Sequence, residues 1–181
     1  MNRRWIVTAL GQDRPGIVAG VTQVLYQLGC NLEDSAMTRL EGEFAIMLIF
    51  TTQPSTDEAD LRRAFVPVEK RLRLAVHLKP LTRLESRSPR SQAARFLLSV
   101  YGADRPGIVF RISDFLARAR VNITDVHTHR STGKGPSLYL MLLEIELQTR
   151  SRSSALERSL KRLAKQLHVA VSLRPADARV L

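Results

Sequence analysis

The chain has 181 residues, of which 44% are hydrophobic and 25% charged, a balance typical of a globular protein. It has no apolar run approaching the roughly 20 residues that span a bilayer, and its N-terminus lacks the apolar region of an export signal. We therefore expect a cytoplasmic protein without a membrane span; its net charge of +11 comes mainly from residues 95–181, which carry 15 basic and 7 acidic side chains.

The two halves of the chain predict the same first elements. An apolar strand starts at Trp5 in the first half and at Phe96 in the second. Each strand is followed, after a glycine, by the hexapeptide Asp-Arg-Pro-Gly-Ile-Val, which begins at Asp13 and recurs at Asp104. An amphipathic helix follows in both copies. A duplicated unit therefore fills the chain.

The rest of each half predicts a β-hairpin, a second helix and a last strand. The hairpins follow Asn31 and Asn122, and the second helices share a 4-3-4 spacing of apolar residues. The order βαββαβ predicts an α+β fold of two ferredoxin-like domains in tandem, each an antiparallel four-stranded sheet with two helices on one face. We expect the domains at residues 1–80 and 93–176, with a linker at 81–92.

The third strand of each half is apolar at nearly every position, from Phe44 to Phe50 and from Leu138 to Leu143. A strand of this kind is expected to be covered on both faces. The cover for the helix-free face could be the other half of the chain or a second chain. We favour a homodimer.

The repeated hexapeptide has a structural and a functional interpretation. In the structural one, the Asp13 carboxylate caps the helix and Pro15 occupies its first turn. In the functional one, Gly16 in that turn lets a small carboxylate approach free backbone amides, where the helix dipole favours negative charge. Asn31 is expected near the same turn, where it could contact an ammonium or a carboxylate group.

The hexapeptide, its helix and the following Gly-Cys-Asn-Leu-Glu-Asp together resemble the ACT domain, a small regulatory module that senses amino acids. Both halves carry the resemblance, which covers nearly the whole chain apart from the linker and the last few residues. The first half is also similar to the glycine cleavage repressors, which are tandem ACT proteins without an attached enzyme. The complete motif from Asp104 to Gly107 in the second half departs from that group.

The resemblance implies a non-enzymatic regulator without a cofactor. It would bind a small amino acid, with glycine a candidate, where ACT units meet, and would alter contact with a DNA-bound transcription factor. Backbone groups should make most of the contacts with this ligand. The implied ligand-binding residues are Asp13, Gly16, Ile17, Asn31, Leu32, Asp104, Gly107, Ile108, Asn122 and Ile123.

Two further patterns are compatible with other chemistry. His127 and His129 would share one face of a strand and could form a metal clasp or a ligand contact, but no other spacing completes a metal site. Gly133-Lys134-Gly135 resembles part of a phosphate-binding loop, but its place between two strands favours a hairpin turn. Neither pattern supplies a nucleophile with a positioned base, so we predict no enzyme and no metal.

The basic excess supports an alternative function, direct binding of nucleic acid. Such a face can also be merely solvated or contact an acidic protein. The middle strands lack most of the aromatic platform with which sheets of this topology bind single-stranded RNA, so nucleic acid is the second choice. The cations lie in the linker and on or before the last helix, at Arg83, Arg87, Arg90, Arg150, Arg152, Arg158, Lys161, Arg162 and Lys165.

Overall fold

A computed structural model describes residues 3–82, 93–131 and 137–176. The described residues form two compact units, one on each side of the gap at 83–92. The first unit contains β1 (Arg3–Gln12), α1 (Ile17–Gln27), β2 (Asn31–Leu40), β3 (Glu43–Thr52), α2 (Glu58–Leu72) and β4 (Ala75–Leu81). The second contains β5 (Ala94–Ala103), α3 (Ile108–Arg118), β6 (Asn122–Arg130), β7 (Leu138–Leu147), a 3₁₀ turn (Arg150–Arg152), α4 (Ser153–Leu167) and β8 (Val169–Pro175).

Each unit is a four-stranded antiparallel sheet, with strand order β2-β3-β1-β4 in the first and β6-β7-β5-β8 in the second. The predicted tandem ferredoxin-like α+β fold is therefore confirmed. Most of the predicted linker, like Gly133-Lys134-Gly135, lies outside the described residues, so the domain boundaries stay predictions. No helix in the described ranges is both long and apolar enough to span a membrane.

The core of each unit lies between the helices and one face of the sheet. Alternate residues of the strands point to this side, and the helices contribute their apolar stripes. In the first unit, the core residues of β1 and the two helices are Trp5, Val7, Ala9, Ile17, Val21, Val24, Leu25, Leu61, Phe65 and Val68. Trp5, the single tryptophan of the chain, is 3% exposed, so its fluorescence reports on the packing of the first unit alone.

The helix-free face of the first sheet is apolar but open within the first unit. On β3, Phe44 and Leu48 are buried against the helices, whereas Met47, which points to the other side, is 48% exposed. The expectation that β3 is covered on both faces is thus not met within the unit. A second chain over this face stays a prediction.

The first helix of each unit ends on a residue in the left-handed conformation. Gly29 has φ 62° after α1, and Arg120 has φ 55° at the matching place after α3. The amide of the next residue donates back to the helix in both units, from Cys30 to the Leu25 carbonyl and from Val121 to the Leu116 carbonyl, each at 2.9 Å. The backbone path is shared, but only the first unit has the residue that adopts it without strain.

Replacing Arg120 with glycine is expected to stabilise the second unit by about 0.5–1 kcal/mol, because relief of left-handed strain outweighs the added freedom of the unfolded chain. The reciprocal change, Gly29→Arg, should destabilise the first unit by a similar amount. Urea denaturation followed by far-ultraviolet circular dichroism measures the first variant, and Trp5 fluorescence measures the second. A lower midpoint for Arg120→Gly would show that the arginine side chain makes a compensating contact.

Candidate functional site

The starts of α1 and α3 share an unusual geometry. The residue before each helix is a glycine in the left-handed conformation, Gly16 with φ 94° and Gly107 with φ 92°. Neither helix has a side-chain cap, and a Cβ atom built at either glycine would meet no atom within 4 Å. Glycine is therefore required by the backbone, and it leaves open space in front of the helix.

The backbone amides of residues 17–19 precede the first helical hydrogen bond, which runs from the Gly20 amide to the Gly16 carbonyl at 2.8 Å. The equivalent bond in the second unit joins the Arg111 amide to the Gly107 carbonyl at 2.9 Å. Amides at this position carry the positive end of the helix dipole and have no partner within the helix. The Ile17 side chain is buried, so this residue can offer a ligand only its backbone.

The prediction that Asp13 caps α1 is wrong. The helix begins after Gly16, too late for the Asp13 carboxylate to reach its amides as a cap, and the carboxylate instead pairs with Arg39 at 3.2 Å. The second unit repeats the arrangement, with Arg130 Nε 3.1 Å from the Asp104 carboxylate. Arg39 lies next to the end of β2, and Arg130 is the last residue of β6. Sequence reasoning missed them, although they share the 91-residue offset of the hexapeptides.

Tyr139 distinguishes the second site from the first, where the matching residue is Phe44. Burial raises the pKa of the Tyr139 phenol, an effect that the Thr128 side chain opposes and the Asp104 carboxylate reinforces. The phenol therefore stays protonated at neutral pH. It gives the second site a neutral hydroxyl group that the first site lacks.

Asn31 lies at the far end of the unit from Gly16. It pairs with Thr51, which also pairs with Arg4 near the start of β1, whereas Gly16 follows the end of β1. The 11 residues of α1 separate the two sites by about 16 Å. The expectation that Asn31 lies beside the strand-to-helix turn is thus wrong within one unit.

The same separation holds in the second unit, where Asn122 pairs with Glu146 opposite Arg95. Each unit therefore contains two separate groups of predicted site residues. The helix-start group contains the aspartate, glycine and isoleucine of the hexapeptide. The strand-start group contains Asn31 and Leu32, or Asn122 and Ile123.

The strand-start group is exposed and irregular. Leu32 is 45% exposed, and the pairing of β2 with β3 shifts register between Leu32 and Asp34. The same shift occurs between Ile123 and Asp125 in the second unit. Bulges of this kind often redirect side chains next to binding sites. Cys30, which precedes this group, has a raised thiol pKa because it is partly buried, so it is a poor nucleophile at neutral pH.

His127 and His129 lie on one face of β6, opposite Leu142 and Leu140. The predicted shared face is therefore confirmed. His127 Nε2 lies 3.0 Å from the Asp125 carboxylate, and that imidazole is 73% exposed. Among the described residues, no group of three or more histidine, cysteine, aspartate or glutamate side chains is placed to hold a metal ion.

The three aromatic residues that the sequence offered for RNA stacking, Phe44, Phe50 and Tyr139, do not lie on the open face of a sheet. Phe44 and Phe50 are buried in the core of the first unit. Tyr139 packs against the core of the second unit on the helix side. The open face of either sheet therefore does not display these rings, which are the ones that sequence analysis considered for RNA stacking.

Comparison with known proteins gives a family match in both units. The model of the ACT domain matches residues 3–79 and 94–174. The chain is 30% identical over 122 residues to the glycine cleavage system transcriptional repressor of Escherichia coli; the match covers 67% of this chain and 62% of the repressor, so it spans less than two thirds of that relative. It is 36% identical over 74 residues to the UPF0237 protein SMU_72 of Streptococcus mutans, covering 41% of this chain and 84% of that protein.

Two solved structures share the whole fold. An unknown protein from Galdieria sulphuraria has a TM-score of 0.79 at 23% identity, with 97% of this chain and 99% of that chain covered. A candidate glycine cleavage system transcriptional repressor has a TM-score of 0.75 at 19% identity, with coverage of 96% and 97%. At these identities the two structures establish the tandem architecture.

Proposed function

The chain belongs to the ACT domain family, and from that premise we propose that it is a non-enzymatic regulator that binds a small amino acid and signals its presence to a transcription factor. The observation that carries the proposal is the uncapped helix start with a left-handed glycine, present in both units at Gly16 and Gly107. Such a role places the protein in the compartment of its transcription factor, in keeping with the expected cytoplasmic location.

The helix start suits the carboxylate of an amino acid. Free amides and the helix dipole favour a small anion, and the absence of a Cβ atom at Gly16 leaves room for its approach. The neighbouring aspartate is already paired with Arg39. The ammonium group of the ligand therefore needs an acceptor from elsewhere, and the side-chain carbonyl of an asparagine can supply one.

Because Asn31 lies about 16 Å from the helix start of its own unit, we propose that a complete site needs two units. The helix start of one unit would then face the strand start of another. We propose that this second unit belongs to a homodimer partner. Ligand binding would stabilise that pairing by mass action, and the stabilised pairing is what a protein partner would recognise.

Glycine is our first candidate ligand, because the E. coli relative is a repressor of the glycine cleavage system. Both units keep the glycine of the hexapeptide and the following asparagine. We therefore propose that both units take part in binding. No cofactor enters this function, since recognition needs only the backbone amides and polar side chains.

Isothermal titration calorimetry against the twenty amino acids tests the proposal. We expect one or a few small amino acids to bind, with an affinity that changes little between low and high salt. Acetate and methylamine, which each carry one of the two charged groups, should bind far more weakly. If none of the twenty binds, the sensor function is refuted. Binding of DNA or RNA that falls steeply with salt would instead support the alternative function.

A further inference from the structure

The second helices of the two units differ in charge. α2 carries four basic and three acidic residues, and two of its three arginines form local ion pairs, with Arg62 2.7 Å from the Glu58 carboxylate and Arg63 paired with Asp60. α4 also carries four basic residues but only one acidic residue, Glu157. The duplication therefore provides an internal reference, against which α4 has two fewer carboxylates for the same number of cations.

Glu157 pairs with Lys161 at 2.8 Å. Within the described ranges, neither Arg158 nor Lys165 has a carboxylate within ion-pair distance, and Arg162 donates a hydrogen bond to Ser159 rather than to an acid. All four cations are exposed. One side of α4 is thus a stripe of cations with a single counter-charge.

An apolar groove lies beside this stripe, between α3 and α4. Its volume is about 430 Å³, and its walls are formed mainly by Phe115, Ala119, Val121, Leu147 and Leu156. Ala155 and Ser159 also line it, and both residues border a second depression along the cations of α4 as well. The apolar groove and the basic stripe are therefore contiguous.

We propose that the α3–α4 groove and the α4 stripe together dock an acidic amphipathic helix of a partner protein. Apolar side chains of that helix would fill the groove, and its carboxylates would pair with Arg158, Arg162 and Lys165. A nucleic acid would satisfy the cations but leave the apolar groove exposed, so the combination favours a protein segment. The inference rests on the proposed regulatory function for the existence of a protein partner.

A defined probe tests the docking surface. We would use a fluorescein-labelled helical peptide of about 16 residues, roughly four turns, with leucines on one face and glutamates beside them. Its binding to the full chain is measured by fluorescence anisotropy. A peptide of the same composition, with the leucines scattered around the helix, and a DNA duplex serve as comparisons. We expect the amphipathic peptide to bind more tightly than either.

The chain offers a matched control for the cations. Arg158→Glu with Lys165→Glu should weaken peptide binding about tenfold or more, since two attractive contacts become repulsive. The same reversals at the matching positions of α2, Arg63→Glu with Lys70→Glu, should leave it nearly unchanged. Ala155→Trp, which fills the groove without changing the charge, should weaken binding as well. Circular dichroism shows whether each variant is folded.

Three results would overturn the inference: equal binding of the scattered peptide, tighter binding of the DNA, or equal losses from the α2 and α4 reversals. Each would show a general polyelectrolyte surface instead of a docking groove. Amino-acid titrations on the same variants separate this question from the proposed function. Ligand binding should survive in the α4 variants, and its absence from the wild-type chain would refute the sensor function without affecting the peptide result.

Discussion

Valine at Gly16 is expected to abolish amino-acid binding at the first helix start. Gly16 has φ 94°, a conformation that a β-branched residue adopts only under strain, and the added methyl groups would occupy the open space before the helix. We expect a loss of affinity of about 100-fold or more, because the carboxylate would lose both its access and its amide donors. Gly107→Val should have the same effect at the second site.

Strain and obstruction can be separated at the same position. Valine should also destabilise the unit by about 1–2 kcal/mol, which urea denaturation followed by Trp5 fluorescence measures for the first unit. Gly16→Asn is the control, because asparagine tolerates the left-handed region better than other residues with a side chain. The asparagine variant should be more stable than the valine variant and should still bind the amino acid poorly. If both variants bind like the wild type, the hexapeptide is a folding signal and not a ligand site.

The same glycine allows a test of the two-unit site. Two variants are made in a chain that already carries Gly107→Val, one with Gly16→Val and the other with Asn31→Ala. If the first unit pairs with its copy in a homodimer, neither variant should bind the amino acid by itself. Mixing the two variants should restore one intact site in each mixed dimer, because one chain supplies the glycine and the asparagine of that site comes from the other. Calorimetry on the mixture detects the recovery. Binding by the Asn31→Ala variant alone, or no recovery on mixing, would contradict a site built from the first units of a homodimer.

The sequence was sufficient to predict the fold because the two copies repeat the same apolar periodicity. The stripe of Ile17, Val21 and Val24 predicts α1, and the same stripe predicts α3 at an offset of 91 residues. The last strand of each half alternates as clearly, whereas the third strand is apolar at nearly every position. Local patterns of this kind depend only on which face of an element is buried, and the structure buries those faces.

The site was harder to predict because it depends on long-range geometry. Arg39 meets Asp13 only because the β2–β3 hairpin returns beside the helix start, a contact across 26 residues. The helix boundary depends on the positive φ of Gly16, which no composition rule fixes. The position of Asn31 could have been derived: a strand, a helix and a strand alternate in direction, so the second strand begins at the end where the helix finishes.

Alanine at Gly11 is expected to destabilise the first unit by about 1–3 kcal/mol, the usual range for forcing extra atoms into a packed core. A Cβ atom there would lie 2.8 Å from Cδ2 of Leu74 and 2.9 Å from the carbonyl oxygen of Arg73. The leucine can rotate away, but the carbonyl belongs to the left-handed residue that ends α2, with φ 53°, and it cannot move without disturbing that turn. In the second unit, a Cβ atom at Gly102 would make the same kind of close contact with the Val169 side chain and the His168 carbonyl oxygen.

Gly42→Ala provides the matched control for Gly11→Ala, since a Cβ atom at Gly42 meets no atom within 4 Å and its φ is not positive. Urea denaturation followed by Trp5 fluorescence should show a lower midpoint for Gly11→Ala and little change for Gly42→Ala. An unchanged midpoint for Gly11→Ala would mean that the α2–β4 turn moves at little cost.

Gly11 lies near the end of β1, two residues before the hexapeptide. The α2–β4 turn holds this part of β1 in place, so it also fixes where the start of α1 and its free amides lie. Gly11→Ala in a chain that remains folded should therefore weaken amino-acid binding as well.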